Sequence, residues 1–111
     1  MEAQVHNIFN LNSEKNFTED EAYELLNLLI AVTNKAKNKI NALRSQIEYN
    51  KNIPSQAMGF EKELNVELQK WSEKVRRLGG IPLSLYQVKI PAQGEGFYLW
   101  EHPKADLEFH F

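Results

Sequence analysis

The chain has 111 residues and a formal net charge of −2, with 25% charged and 42% hydrophobic residues. This length predicts a single domain, and the composition is that of a folded globular protein. The slightly negative charge disfavours a dedicated nucleic-acid binder, because such domains carry a positive excess that displaces phosphate counterions. The sequence holds no cysteine, which excludes disulfides, thiolate zinc sites and cysteine nucleophiles.

Residues 1–16 predict a short N-terminal strand followed by a loop. Val5, Phe9 and Leu11 fall on one face at a period of two, and residues 12–16 are rich in turn formers. The first residues have no secretory-signal pattern, and no apolar run approaches the roughly 20 residues of a membrane helix. We therefore expect a cytoplasmic protein that does not enter a membrane.

A long amphipathic helix is predicted from Glu19 to about Tyr49. Thr18 and Glu21 have the spacing of a capping box, and neither proline nor glycine interrupts the helix that follows. Apolar side chains recur at alternating spacings of three and four residues, which gives the helix one apolar face. They are Ala22, Leu25, Leu26, Leu29, Val32, Ala36, Ile40, Leu43 and Ile47.

A second helix is predicted from about Gln56 to Leu78, with Ser55 as its N-cap and Gly79 as its left-handed C-cap. The short connection makes residues 17–79 an antiparallel hairpin that folds about residue 52. Its distal half carries only a narrow apolar seam, which we expect to be half exposed in a monomer: Ile40, Leu43, Ile47, Phe60 and Leu64. This predicts a homodimer in which two hairpins form a coiled-coil-like four-helix arrangement.

Residues 80–111 predict a β-meander. Its strands are residues 86–90, 97–101 and 107–111, separated by turns rich in proline and glycine. The predicted fold class is therefore α+β, a long antiparallel helical hairpin packed against a small three- or four-stranded antiparallel sheet.

The meander has two mixed faces, and its register decides which one is buried. If Val88, Ile90, Phe97 and Leu99 face the core, the opposite face presents an interaction or ligand surface made of Tyr98, Trp100, Glu108 and His110. In the other register, the helices or the N-terminal strand cover that face, and Phe97 and Leu99 point outward. Both alternatives remain open.

A metal site is suggested only by Glu101, His102, Asp106, Glu108 and His110. Such a site needs three or four convergent ligands, whereas these residues occupy mostly turn and strand-edge positions. The sequence also has no nucleophile elbow and no phosphate-binding glycine loop. We therefore predict no catalytic residue, no metal and no cofactor.

The middle of the hairpin is basic, with Lys35, Lys37, Lys39, Arg44 and Lys51. We interpret these residues as a solvated helix face. An acidic partner or RNA is the alternative, and RNA binding there would depend strongly on salt.

Four segments carry a resemblance to a known family: Phe17-Thr18-Glu19-Asp20-Glu21-Ala22, Leu78-Gly79, Phe97-Tyr98-Leu99-Trp100 and Phe109-His110. They resemble a bacterial family catalogued as domain of unknown function 2203, over about residues 16–111. The resemblance implies a helical pair followed by short strands. Lys89 stands where that family tends to have an acidic residue, so any chemistry of that acid would be missing here.

These patterns favour a non-catalytic protein-interaction or assembly module that dimerises through its hairpin and binds an unidentified protein partner. The alternative is a small-molecule or metal-binding protein that uses the sheet face around Trp100, Glu108 and His110.

Overall fold

A computed structural model describes residues 16–111. Two helices, α1 (Glu19–Tyr49) and α2 (Pro54–Leu78), are followed by four strands, β1 (Ile81–Ser84), β2 (Gln87–Pro91), β3 (Phe97–Glu101) and β4 (Glu108–His110). The strands form one antiparallel sheet in the order β1-β2-β3-β4. This confirms the predicted α+β class, while the predicted N-terminal strand around Val5–Leu11 lies outside the described residues.

The predicted capping box begins α1. Glu21 donates its backbone N–H to Thr18 Oγ1 over 3.2 Å, and Thr18 donates its N–H to Glu21 Oε1 over 3.0 Å. Just before it, Phe17 donates to the Pro91 carbonyl and accepts from the Gln93 N–H, at 2.9 and 2.8 Å. The start of α1 is therefore fixed to the end of β2.

The second helix begins two residues earlier than the sequence pattern predicted. Ile53, not Ser55, is the N-cap, and Pro54 is the first helical residue. Proline suits that position, because the N–H it lacks would have no partner within the helix. The C-terminus agrees with the prediction, since Gly79 has a left-handed φ of 101°.

The two helices pack as an antiparallel hairpin in the predicted register. Trp71 Nε1 donates a buried hydrogen bond to Thr33 Oγ1 over 2.9 Å. A hairpin that folds about residue 52 brings these positions opposite each other. The described residues extend over 54 × 36 × 21 Å, so the hairpin gives the molecule an elongated shape.

The sheet packs against the base of the hairpin, where both helices meet the strands. The main core cluster consists of Phe17, Ala22, Leu25, Leu26, Leu29, Trp71, Val75, Val88, Ile90 and Trp100. The distal half buries Ile40 and Ala57 outside that cluster. Neither α1 nor α2 is long and apolar enough to cross a membrane.

Candidate interaction site

The distal half of the hairpin carries a shallow groove on the side away from the sheet. Its volume is about 490 Å³, and its lining is Lys39, Ala42, Leu43, Lys62, Glu63, Val66, Glu67 and Lys70. We call this lining the back-face groove. Its floor is apolar, since it combines Ala42 and Leu43 of α1 with Val66 of α2, which is 47% exposed. Charged side chains form its rim.

The rim of the groove contains charges of both signs. Glu67 is largely buried and lies 3.5 Å from the Nζ atoms of both Lys39 and Lys70. Lys62 and Glu63 form no ion pair within residues 16–111. Lys62 and Glu63 are therefore available to pair with a second molecule, while Lys39 and Lys70 share the single carboxylate of Glu67.

The predicted dimer seam needs a correction. Ile40 is fully buried inside the single chain, because the antiparallel register places it between the two helices. Leu43, Ile47, Phe60 and Leu64 are partly buried within the single chain. Of these five residues, Leu43 also lines the back-face groove, so that groove and not Ile40 offers an uncovered apolar surface.

The predicted sheet-face site is divided between the two faces of the sheet. Val88 pairs with Trp100 and Ile90 pairs with Tyr98, so these four side chains share the face that packs on the helices. Leu99 pairs with Glu108 and Phe97 with His110 on the opposite, outer face. The prediction that Tyr98, Trp100, Glu108 and His110 share one face is therefore wrong.

Burial of Trp100 has a specific polar partner. Its side chain is 1% exposed, and its Nε1 donates to the Lys104 carbonyl over 2.7 Å. A buried indole N–H without an acceptor is costly. This hydrogen bond therefore allows the side of β3 that carries Tyr98 and Trp100 to pack against the helices. Trp100 cannot serve as an exposed aromatic platform.

The outer face of the sheet carries a small polar and aromatic cluster. His110 Nε2 lies 2.7 Å from Glu108 Oε1, and the His110 ring stacks on Phe97 with centroids 5.4 Å apart. Lys89 Nζ lies 4.6 Å above the Phe97 ring. Among residues 16–111, no group of three histidine or acidic side chains could hold a metal ion.

Of the other residues that suggested a metal site, Glu101 and Asp106 line a cavity of about 230 Å³ together with Glu108, whereas His102 lies elsewhere. His102 packs toward the helices, with its Nε2 3.1 Å from Asn34 Oδ1, and burial followed by the charge of Lys37 lowers its pKa. Asp106 accepts from the Tyr23 hydroxyl over 2.6 Å, and this bond lowers the pKa of the carboxyl.

Sequence reasoning did not single out Tyr86. This residue lies in the turn before β2 with a φ of 66°, and its ring packs edge-on against Trp71 at 5.9 Å. Its hydroxyl is buried and finds no hydrogen-bond partner within the described part of the chain, and burial raises its pKa. Left-handed conformations are rare for tyrosine, so no sequence motif predicts a turn at this position.

Comparison of the chain with protein-family models, curated proteins and solved structures gave no match in any of the three. The resemblance to domain of unknown function 2203 stays a prediction.

Proposed function

We propose that this protein is a non-catalytic assembly module that forms a homodimer through the back-face groove of its helical hairpin. The observation that carries the proposal is the groove itself, an apolar floor with charges of both signs on its rim. A second copy related by a twofold axis presents the same features, so apolar floor meets apolar floor.

The architecture supports a helical partner at this position. The sheet covers only the base of the hairpin, and the distal half has no third layer within the described residues. Leu28 is 52% exposed and precedes Lys39 by three helical turns, which places another exposed apolar side chain on the same side of α1 as the groove. Two such surfaces would bury each other in a four-helix arrangement.

The rim charges suit a twofold partner as well. Lys62 and Glu63 are adjacent in sequence and have no ion pair of their own within residues 16–111. In an isologous contact, the lysine of one copy approaches the glutamate of the other. These pairs would favour one register of the two hairpins over alternatives.

The test is the mass of the protein in solution, measured by sedimentation equilibrium over a range of concentrations. We expect the 12.9 kDa chain to form at least a dimer. Val66→Glu should weaken that dimer, because it places a charge on the apolar floor. Met58→Glu is the matched control, since Met58 is similarly exposed on the same helix but does not line the groove.

The two substitutions separate a specific interface from a general effect of added charge. Self-association as strong in Val66→Glu as in the wild-type protein would contradict the proposal, as would equal weakening by both variants. A wild-type protein that remains monomeric at every concentration would also overturn it.

A further inference from the structure

The free edge of β4 is a second surface that no other described element covers. β4 ends the strand order, and Phe109 and Phe111 near this edge are 47% and 90% exposed. Their rings form a row with Tyr98, with centroids 5.2 Å apart for Tyr98–Phe109 and 5.7 Å for Phe109–Phe111. An uncovered edge with exposed aromatics is a template for pairing with another strand.

The hydrogen-bonding pattern of the sheet places the backbone N–H and C=O of Phe109 at this edge. The backbone N–H of His102 donates to the Tyr86 carbonyl, and that of Ala92 donates to the Gly96 carbonyl. These two bonds fix which residues of β3 form hydrogen bonds with β2. By alternation, Tyr98 bonds toward β2, whereas Phe97 and Leu99 bond toward β4. Phe109, opposite Tyr98, therefore directs its N–H and C=O away from the sheet.

The residues around Phe109 have a self-complementary order. Leu107, Glu108, Phe109, His110 and Phe111 read as apolar, acidic, aromatic, basic, apolar. If two copies pair antiparallel about Phe109, Glu108 lies opposite His110 of the partner subunit, and Leu107 lies opposite the partner's Phe111. Opposite charges and apolar side chains at such cross-strand positions stabilise the pair.

We propose that two copies of this chain also associate edge to edge through β4, in an antiparallel pair centred on Phe109. The contact joins the two sheets into one of eight strands. The two Glu108 carboxylates and the two His110 imidazoles then alternate in one cluster on the outer face.

The opposite edge of the sheet does not offer the same contact. By the same alternation, Ile81 of β1 bonds toward Lys89, so the neighbouring Pro82 turns its backbone outward. Proline has no N–H to donate, and proline on an edge strand prevents pairing with another chain. The asymmetry between the two edges favours association through β4.

This contact goes beyond the proposed hairpin dimer, because it uses a different surface. Two distinct twofold contacts on one chain generate either a closed tetramer or an open chain of molecules. The hairpin contact and the edge contact can each be removed without touching the other.

The edge contact is tested by sedimentation equilibrium in the Val66→Glu background, in which the proposed hairpin dimer is weakened. We expect a concentration-dependent dimer. His110→Glu should raise its dissociation constant about tenfold, because it places two glutamates opposite each other at both symmetric positions. Adding Glu108→Lys to His110→Glu restores opposite charges and should restore the dimer.

A cysteine cross-link provides a geometric test. The chain has no cysteine, and residues that face each other in a bonded antiparallel pair have Cα atoms about 5.5 Å apart, within reach of a disulfide. Phe109→Cys should therefore form a disulfide-linked dimer under mild oxidation. Glu101→Cys, exposed on the inner strand β3, should remain monomeric.

Monomer at every concentration in the Val66→Glu background would overturn the edge contact, as would a dimer that His110→Glu leaves unchanged. The hairpin dimer is read out by comparing Val66→Glu with Met58→Glu in the His110→Glu background, in which the edge contact is weakened, so each proposal fails independently of the other.

Discussion

Trp71 and Thr33 connect the two helices through a hydrogen bond inside the hairpin. The indole Nε1 lies 2.9 Å from the Thr33 oxygen, and both residues are buried. Breaking one half of a buried hydrogen bond leaves the other half without a partner, which costs more than the net value of the bond. This pair therefore specifies the hairpin register as well as stabilising it.

Thr33→Val should destabilise the protein by about 1–3 kcal/mol, since it leaves the indole N–H buried without an acceptor. Urea unfolding at a fixed protein concentration measures the loss. Trp71→Phe combined with Thr33→Val removes both polar groups and should cost less than the sum of the two single changes. If the free-energy costs of the two single changes sum to that of the double change, the hydrogen bond between Trp71 and Thr33 contributes no coupling energy.

Tyr23 and Asp106 form an exposed hydrogen bond that makes stability depend on pH. The Tyr23 hydroxyl lowers the pKa of the Asp106 carboxyl, and the same bond raises the pKa of Tyr23. A lowered aspartate pKa gives stability that is present above about pH 4 and is lost as the pH falls through the folded-state pKa. The raised tyrosine pKa gives stability that is lost at alkaline pH.

Tyr23→Phe should therefore lower the urea midpoint at pH 7, and the difference from wild type should shrink at pH 3. Asp106→Asn serves as the control, because it removes the titrating group and should make the effect of Tyr23→Phe independent of pH in this range. An equal difference at pH 7 and pH 3 in the wild-type background would contradict the assignment.

At the scale of elements, two glycines differ in the space available for a side chain. Gly59 lies inside α2, where an added Cβ would have no heavy atom within 4 Å, so the residue only adds conformational freedom to the unfolded chain. Gly80 joins α2 to β1, and a Cβ there would lie 2.7 Å from Val88 Cγ1 and 3.1 Å from Val75 Cγ1. Both valines are fully buried and have no room to move away.

Gly59→Ala should raise the free energy of unfolding by about 0.5–1 kcal/mol, the usual difference between the two residues in a helix. Gly80→Ala should lower it by about 1–3 kcal/mol through overpacking. Thermal or urea unfolding of the two variants beside wild type measures both changes. If Gly80→Ala raised the free energy of unfolding, Val75 and Val88 would have room to accommodate a methyl group at the helix-to-strand junction.

The helices were more predictable from the sequence than the sheet. The capping box at Thr18, the C-cap at Gly79 and the hairpin register follow from local chemistry and apolar spacing. β1 was not predicted as a separate strand, since it is only four residues long and contains Pro82. The back-face groove could not be predicted, because it depends on how the two helices are rotated about their axes.

The faces of β3 show why register escaped sequence reasoning. Both alternations along the strand are apolar, Phe97 with Leu99 and Tyr98 with Trp100, so periodicity fits either orientation. The pairing is set by the turn that Ala92 closes with the Gly96 carbonyl. The hydrogen bond from the Trp100 indole to the Lys104 carbonyl then satisfies the polar end of the buried ring. No local sequence motif predicts that bond.

At the scale of the whole molecule, the two proposed contacts lie in different parts of the fold. The back-face groove belongs to the distal hairpin, whereas the β4 edge belongs to the sheet at the base. A partner bound at one surface leaves the other free. The combination is suited to building assemblies larger than a dimer.

The length of the hairpin also affects how the molecule moves through solvent. The described residues have a radius of gyration of 17.0 Å, whereas a compact chain of this size would have about 13 Å. An elongated particle meets more frictional drag than a sphere of equal mass, so even a single copy should elute early from a size-exclusion column. Apparent size on such a column will overstate the number of subunits, and light scattering or sedimentation equilibrium, which report mass, should be used to count them.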